Sequence, residues 1–561
     1  MIAAIVLACT ALCFLGYRVY GPWLARRFAL DDSAPTPAVA MEDGLDYVPA
    51  KAPLLLGQHF SAIAAAGPIV GPVLAALWFG WAPALLWIVL GAILIGGVHD
   101  MASIVASVRH RGSSIVELVR LNMPRTPYLL FLGFVWITLV YLIIAFTDVT
   151  AHTFKAVVAE EAFGPAVAAS SMAYLLLALA MGLLLRFCRL NLTAATAIFL
   201  PLVLLAVWWG PHAPQALLEL FASLSVKQWD AALLCYCVVA SVIPVWLLLQ
   251  PRGYLGGWML YLVIAAVLVG ALFGNFEITS PAFNLEGMRS LANGKALVPI
   301  LFITIACGAC SGFHGIVGSG TTSKQLARES DAKLVGYGGM LLEAVVAVLA
   351  VVTVMIIAPG TGTDAEPNMV YASGIARALG LLGLDPGLAL AFALLAFSTF
   401  VYDSLDVCTR LARYVLQELT GWKGTAGAVA ATVLSTLMPL AFLMATKEKG
   451  YLVAWPVFGT ANQLLASLTL LAVAVWLARS GRQALFAILP MLFMMAMAVW
   501  SLLLLIAPFF AALPAILAGE SASPDLVVSG LVGTILFVMT VWLAFEAART
   551  LRQVRRSAPS S

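Results

Sequence analysis

Long apolar runs separated by short polar stretches dominate the chain from its first residues to about residue 549. One run starts at Ile2, and others cover roughly 54–79, 83–108, 127–150, 167–185, 191–209, 231–250 and 257–275. A second group covers roughly 297–320, 335–358, 386–408, 425–446, 452–477, 484–513 and 526–549. Most reach the roughly 20 residues that a helix needs to cross a hydrocarbon core about 30 Å thick, whereas barrel strands are about ten residues long with alternating polarity. The pattern predicts an all-α integral membrane protein with about 15 transmembrane helices. The first run, Ile2 to Leu15, lacks the basic leader and small-residue cleavage site of a signal peptide and reads as a retained helix.

Loop charge orients these spans. With 18–53 placed in the cytoplasm, Arg18, Arg26, Arg27 and Lys51 share a side with Arg109, Arg111, Arg120, Arg125, Arg186, Arg189, Arg252, Lys324, Arg328 and Lys333. Arg410, Arg413, Lys423, Arg479, Arg482, Arg549, Arg552, Arg555 and Arg556 fall there too, leaving few basic residues opposite. Cytoplasmic loops retain Lys and Arg, so the N-terminus is expected outside and the C-terminus inside a bacterial inner membrane. The loops leave no room for a soluble domain. The expected organisation is a first helix with a cytoplasmic linker (1–53), a ten-helix core (54–424), and further helices with a basic tail suited to anionic lipid (425–561).

Composition reinforces this reading: 63% of the 561 residues are hydrophobic and 10% charged, far from a soluble domain. A net charge of +3 gives no electrostatic footprint for nucleic acid. The expected partners are a small-molecule substrate and the bilayer. The eight cysteines lie almost entirely within apolar runs, so no disulfide framework is implied. Cys307-x-x-Cys310 has no second pair at metal-ligand spacing and reads as small packing residues, so neither a metal nor a cofactor is expected.

Glycine and proline locate the breaks. Gly67-Pro68 and Gly71-Pro72 stand in the middle of the second span, where each proline removes an amide donor. A helix broken in the membrane must have its freed carbonyls satisfied by protein, water or an ion. Five spans later, 231–250 carries Pro244 and ends at Gln250. Two broken helices entering from opposite sides predict a five-plus-five inverted repeat of the leucine-transporter type, with a substrate site at the midplane. The eighth core helix, 297–320, is rich in Gly, Ser and Cys and carries His314. In transporters of this fold the first and eighth core helices hold a coupling cation. Ser311, Ser319, Thr321 and Thr322 are the candidates, with the carbonyls around Ala66 and Ile69 as partners.

Gly57-Gln-His-Phe60 through Gly71-Pro-Val-Leu-Ala75, Phe302 through Thr322, and Gly336-Tyr-Gly-Gly-Met340 resemble the carbon starvation protein A family. Asp406-Val-Cys-Thr-Arg410 and Trp455-Pro-Val-Phe-Gly-Thr-Ala-Asn-Gln463 extend the resemblance, which spans about residues 45–475. It implies import of small carbon or nitrogen sources under nutrient limitation, with pyruvate and short peptides as substrates. The family pattern carries two histidines where this chain has Gln58 and His59, and a glutamine in place of His99. The chain is also shorter than the family's better-known members between the ninth and tenth core spans.

Charges inside the spans are the remaining pointers. Asp100, Asp148, Glu343, Asp403 and Asp406 fall within the cores of the predicted spans, and no Lys or Arg does. Such groups are costly in hydrocarbon unless they face a cavity or are neutralised. Asp148 is a candidate proton or cation site, and Asp100, next to His99, is a candidate proton relay or an anchor for the basic loop. Asp406 and Arg410 form an i,i+4 pair that can satisfy itself locally, and Glu343 has no assigned role. Arg252 reads as a topology determinant. An anionic substrate would meet free amides at a half-helix N-terminus. His59 and His314 could add donors there, and Gln58 and Gln250 could fix orientation. The function expected is secondary active transport by alternating access, with a proton or sodium ion as coupling ion. A membrane-embedded enzyme would usually carry a clustered acidic or His-rich metal motif, and a channel would form rings around a pore.

Overall fold

The computed structural model describes residues 1–43, 47–64, 66–122, 124–158, 161–244, 246–289, 296–356, 366–446 and 449–557. The chain begins with α1 (Ile2–Phe28), and the second expected span is two pieces, α2 (Ala52–Ile63) and α3 (Gly67–Phe79), bent by 46°. Next come α4 (Trp81–Arg109), α5 (Arg125–Thr153), α6 (Gly164–Phe187), α7 (Leu192–His212), α8 (Val226–Val242) and α9 (Leu249–Phe273). Two short helices follow, α10 (Leu297–Thr304) and α11 (Gly312–Gly320), and then α12 (Lys333–Met355) and α13 (Pro367–Gly380). The chain closes with α14 (Pro386–Thr420), α15 (Gly424–Ala445), α16 (Gly450–Arg479), α17 (Leu485–Leu517) and α18 (Pro524–Ser557). The described strands are a two-residue antiparallel pair in which Val157 faces Ala162.

Among the described residues, twelve helices are long and apolar enough to cross a membrane, and the α2–α3 pair makes a thirteenth if counted as one bent span. The two expected spans missing from this count are 231–250 and 297–320. In the first, Pro244 stops the helix instead of kinking it. Steric conflict with the proline ring pushes the preceding residue out of helical conformation, and Ile243 is extended (φ −68°, ψ 155°). Pro244 therefore lies in the turn between α8 and α9, and Gln250 opens the next helix with its side chain exposed. The second missing span is the truly discontinuous one. It leaves helical geometry at Ile305 (φ −91°, ψ 73°) and resumes at Gly312 after an extended Ser311.

The two breaks cross one another. A Cβ built on Gly71 would stand 2.3 Å from the Thr304 carbonyl oxygen, and one on Gly67 would stand 2.4 Å from Cys307 Sγ. Only glycine at Gly71 lets the two backbones approach so closely, and Gly67 leaves room for the Cys307 side chain. Gly71→Val is expected to destabilise the fold by about 1–3 kcal/mol through overpacking against a rigid carbonyl. A lowered melting temperature in detergent would show this, and a wild-type melt would contradict the close approach.

Two π-helical turns flank the crossing, Ala92–Gly96 inside α4 and Lys333–Gly338 at the start of α12. They pack together: Tyr337 donates to the Ile93 carbonyl at 3.0 Å, and a Cβ on Gly97 would stand 2.5 Å from the Tyr337 ring. Such turns interrupt the helical ladder and recur at functional sites. The loops that loop charge assigned to one side also meet. Arg109 pairs with Glu329 at 2.6 Å and donates to the Phe28 and Ala29 carbonyls, and Tyr47 donates to the Arg111 carbonyl.

Candidate functional site

Four fully buried ionisable side chains lie against the crossing. His99 and Asp100 come from α4 just past its π turn, His314 from α11 and Glu343 from α12, each 0–1% exposed. Asp100 uses both oxygens, with His99 Nδ1 at 2.8 Å from Oδ1 and His314 Nδ1 at 2.9 Å from Oδ2. The other nitrogen of His314 approaches Glu343 Oε2 at 3.1 Å, close in distance but without hydrogen-bond alignment, and neither Glu343 oxygen has another partner among the described residues. His314 therefore faces a carboxylate at each nitrogen. A neutral imidazole can donate from only one of them, so either the ring is an imidazolium or Glu343 holds the proton. The Asp100–His314–Glu343 row is a place where one proton can sit in two positions inside a low-dielectric interior.

Near the break on α2, buried His59 contacts Thr322 Oγ1 through Nδ1 at 2.9 Å and leaves Nε2 without a partner among the described residues. Its ring is flanked by Gly339 and Gly318, where added Cβ atoms would stand 3.0 Å and 3.9 Å away. At the second break, Asn462 of α16 organises the chain. Its Oδ1 accepts the Phe313 amide at 3.0 Å, and its Nδ2 donates to Ser311 Oγ at 3.1 Å. Asn462 thus caps α11 from a neighbouring helix and satisfies donors that the break exposes. Cys307 Sγ, a ring nitrogen of His314 and a Glu343 oxygen lie within 4.8 Å of one another, a donor set that a transition-metal ion could draw together.

The expected residues divide accordingly. His59, Gly67, Pro68, Gly71, Pro72, Asp100, Ser311, His314 and Thr322 gather at or beside the crossing. Gln58, Gln250 and Thr321 are exposed, Pro244 lies in the α8–α9 turn, and Asp148 is elsewhere. The Ala66 carbonyl accepts the Ile69 and Val70 amides, and Ser319 donates to the Gly315 carbonyl while accepting the Ile115 amide. These oxygens serve helix starts and loop closure. Asp148 accepts the Tyr451 amide at 2.7 Å, capping the N-terminus of α16, and lies 3.7 Å from His152.

Two readings of the charges are corrected. Arg252 is fully buried: it pairs with Asp406 at 2.6 Å and Asp403 at 3.1 Å. Arg410, expected to pair with Asp406 locally, instead donates to the Ala240 and Ile243 carbonyls at the end of α8, and Arg413 donates to that of Ser241. Those last carbonyls have no helical donor, which makes a guanidinium their natural cap. Glu343 and Asn462 also belong to the site. Glu343 could be found as a lone carboxylate in an otherwise apolar span, and Asn462 only through the family motif that contains it.

The profile of the family described as Carbon starvation protein CstA matches residues 1–370 and 360–501. A relative named Peptide transporter CstA from Helicobacter pylori (strain J99) is 33% identical, covering 90% of this chain and 82% of its own. The Peptide transporter CstA of Escherichia coli K12 is also 33% identical, covering 85% and 77%. Pyruvate/proton symporter BtsT from the same organism is 31% identical, covering 85% and 78%. Among solved structures, a mutant manganese transporter from Eremococcus coleocola aligns over 89% of this chain and 95% of its own with a TM-score of 0.44 and 13% identity.

Proposed function

Because the chain belongs to the carbon starvation protein CstA family, and so is a membrane transporter and not an enzyme, we propose that it is a proton-coupled importer of pyruvate or short peptides. The observation that carries this reading is the buried Asp100–His314–Glu343 row beside two crossing helix breaks. Intramembrane ionisable groups in such a position are the ordinary material of proton relays. A proton fits better than sodium, because the hydroxyls expected to hold a metal cation are already engaged, Ser311 by Asn462, Thr322 by His59, and Ser319 and Thr321 by helix carbonyls, whereas the carboxylate–imidazole row has a proton to share.

The same arrangement supports fifteen spans and an inverted repeat. Each discontinuous pair, α2–α3 and α10–α11, is followed by a helix containing a π turn. With the N-terminus outside and the C-terminus in the cytoplasm, the two pairs enter from opposite sides. The second repeat then opens at α10, with α8 and α9 between the halves, and the breaks frame a midplane site. Alternating access would rock one half against the other about that crossing.

Uptake of labelled pyruvate into proteoliposomes, with pH and sodium gradients imposed separately and di- and tripeptides as competitors, tests the reading. Uptake driven by an inward proton gradient is expected. Uptake driven by sodium alone would replace the coupling ion, and no uptake with no competition would remove both substrates.

A further inference from the structure

A second buried ionic group adjoins α2. His59 turns toward Thr322, and two residues on, Ser61 donates to the Gly253 carbonyl of α9 at 3.1 Å, joining the first broken helix to the segment that carries Arg252. Arg252 is 1% exposed. Its Nε reaches Asp403 at 3.1 Å, its Nη1 reaches Asp406 at 2.6 Å and the Tyr236 hydroxyl, and its Nη2 has no partner among the described residues. The guanidinium lies over Tyr402 at 5.0 Å and Tyr236 at 5.7 Å from the ring centroids, and Tyr174 donates to the Arg252 carbonyl.

Three features mark this as a binding place and not a closed structural pair. Asp403 is 15% exposed while Asp406 is fully buried, and Tyr236 and Tyr402 are half-buried, so the group is open on one side. A Cβ on Gly253, the residue after Arg252, would meet nothing within 4 Å among the described residues, so the α9 backbone there borders open space. The Thr399 hydroxyl, one turn from Asp403, is buried and has no partner among the described residues, and neither has Asp406 Oδ1. A planar fork with a free arm, space beside it and an orphan hydroxyl is the equipment for a carboxylate.

We propose that Arg252 anchors the carboxylate of the transported substrate, with Asp403 as its stand-in when the site is empty. This rests on the transporter reading above. Two aspartates already face one guanidinium, and the neighbouring groups are Tyr236 and Cys237 on α8, Tyr174 on α6, and Tyr402 and Arg410 on α14. Arg410 is committed to the α8 carbonyls. An incoming carboxylate would add a further negative charge to a buried site. A proton taken up from water by Asp403 removes that excess and releases Nε, so one substrate carboxylate and one proton enter together. Pyruvate and the C-terminus of a peptide offer the same group.

Pyruvate binding by calorimetry and pyruvate uptake in proteoliposomes test this on the full-length protein, with alanyl-alanine and its C-terminal amide as competitors. Arg252→Lys keeps the charge but loses the fork, and is expected to raise the pyruvate Kd and KM by roughly tenfold or more. Asp403→Asn is expected to flatten the rise of KM between pH 6 and pH 8. The free acid of alanyl-alanine should compete and its amide should not; if only pyruvate binds, the carboxylate is that of a small acid. An unchanged Kd in Arg252→Lys, a wild-type pH profile in Asp403→Asn, or equal competition by the amide would each overturn the assignment. If Arg252→Lys fails to fold, the near-isosteric Asp403→Asn carries the test. Absence of uptake by the wild type would instead sink the transporter reading.

Discussion

Glu343→Gln is expected to cut uphill accumulation of substrate sharply while leaving substrate exchange at equal pH intact. The amide keeps the shape of the side chain 3.1 Å from His314 Nε2 but cannot take the proton from it. His314 then faces one carboxylate instead of two and settles with its proton toward Asp100 Oδ2. Coupling between two ligands of one carrier is typically about 1–3 kcal/mol, so accumulation should fall by roughly 5- to 150-fold. The measurement is concentrative uptake against counterflow in the same vesicles. Loss of both would point to a misfolded protein or to Glu343 as a substrate ligand, and retention of both would remove the row from the coupling path. The sign with pH follows from the geometry: an acidic outside loads the row, so wild-type uptake rises as external pH falls, and the variant should lose that rise.

The fold was readable where one residue acts on its own backbone. Gly67-Pro68 announces the first break because proline lacks an amide and glycine tolerates contact, and both effects are local. The second break announced itself poorly. No proline lies between Ile305 and Ser311, and the segment is held open by Asn462, which is 151 residues from Ser311. Pro244 misled for the opposite reason: proline permits either a kink or a stop, and nothing local to the sequence decides between them. For charges the difficulty was a tempting near neighbour. Asp406 and Arg410 sit one turn apart, yet Arg410 is drawn to the carbonyl end of α8 and Asp406 to Arg252, 154 residues away. His314 and Asp100, in contrast, were both marked out singly, because polar groups in apolar spans stand out; what the sequence does not contain is that they touch.

Arg252→Met is expected to be the most destabilising single change in the molecule, because it strands two aspartates whose shared cation is gone. Removing one partner of a buried pair leaves an uncompensated charge and typically costs about 3–5 kcal/mol, whereas replacing the whole group by neutral side chains is often close to neutral. The triple variant Arg252→Met, Asp403→Asn, Asp406→Asn should therefore recover most of the thermal stability in detergent that the single change loses. It should not recover substrate binding, since the fork over Tyr402 and Tyr236 is absent from both. That separation of stability from binding is what distinguishes an anchor from a strut. A triple variant that regains stability and binding together would make the arginine purely architectural. A single variant as stable as the wild type would mean that water reaches Asp403 and Asp406 freely, and that the half-buried side of the group is a wide aqueous opening.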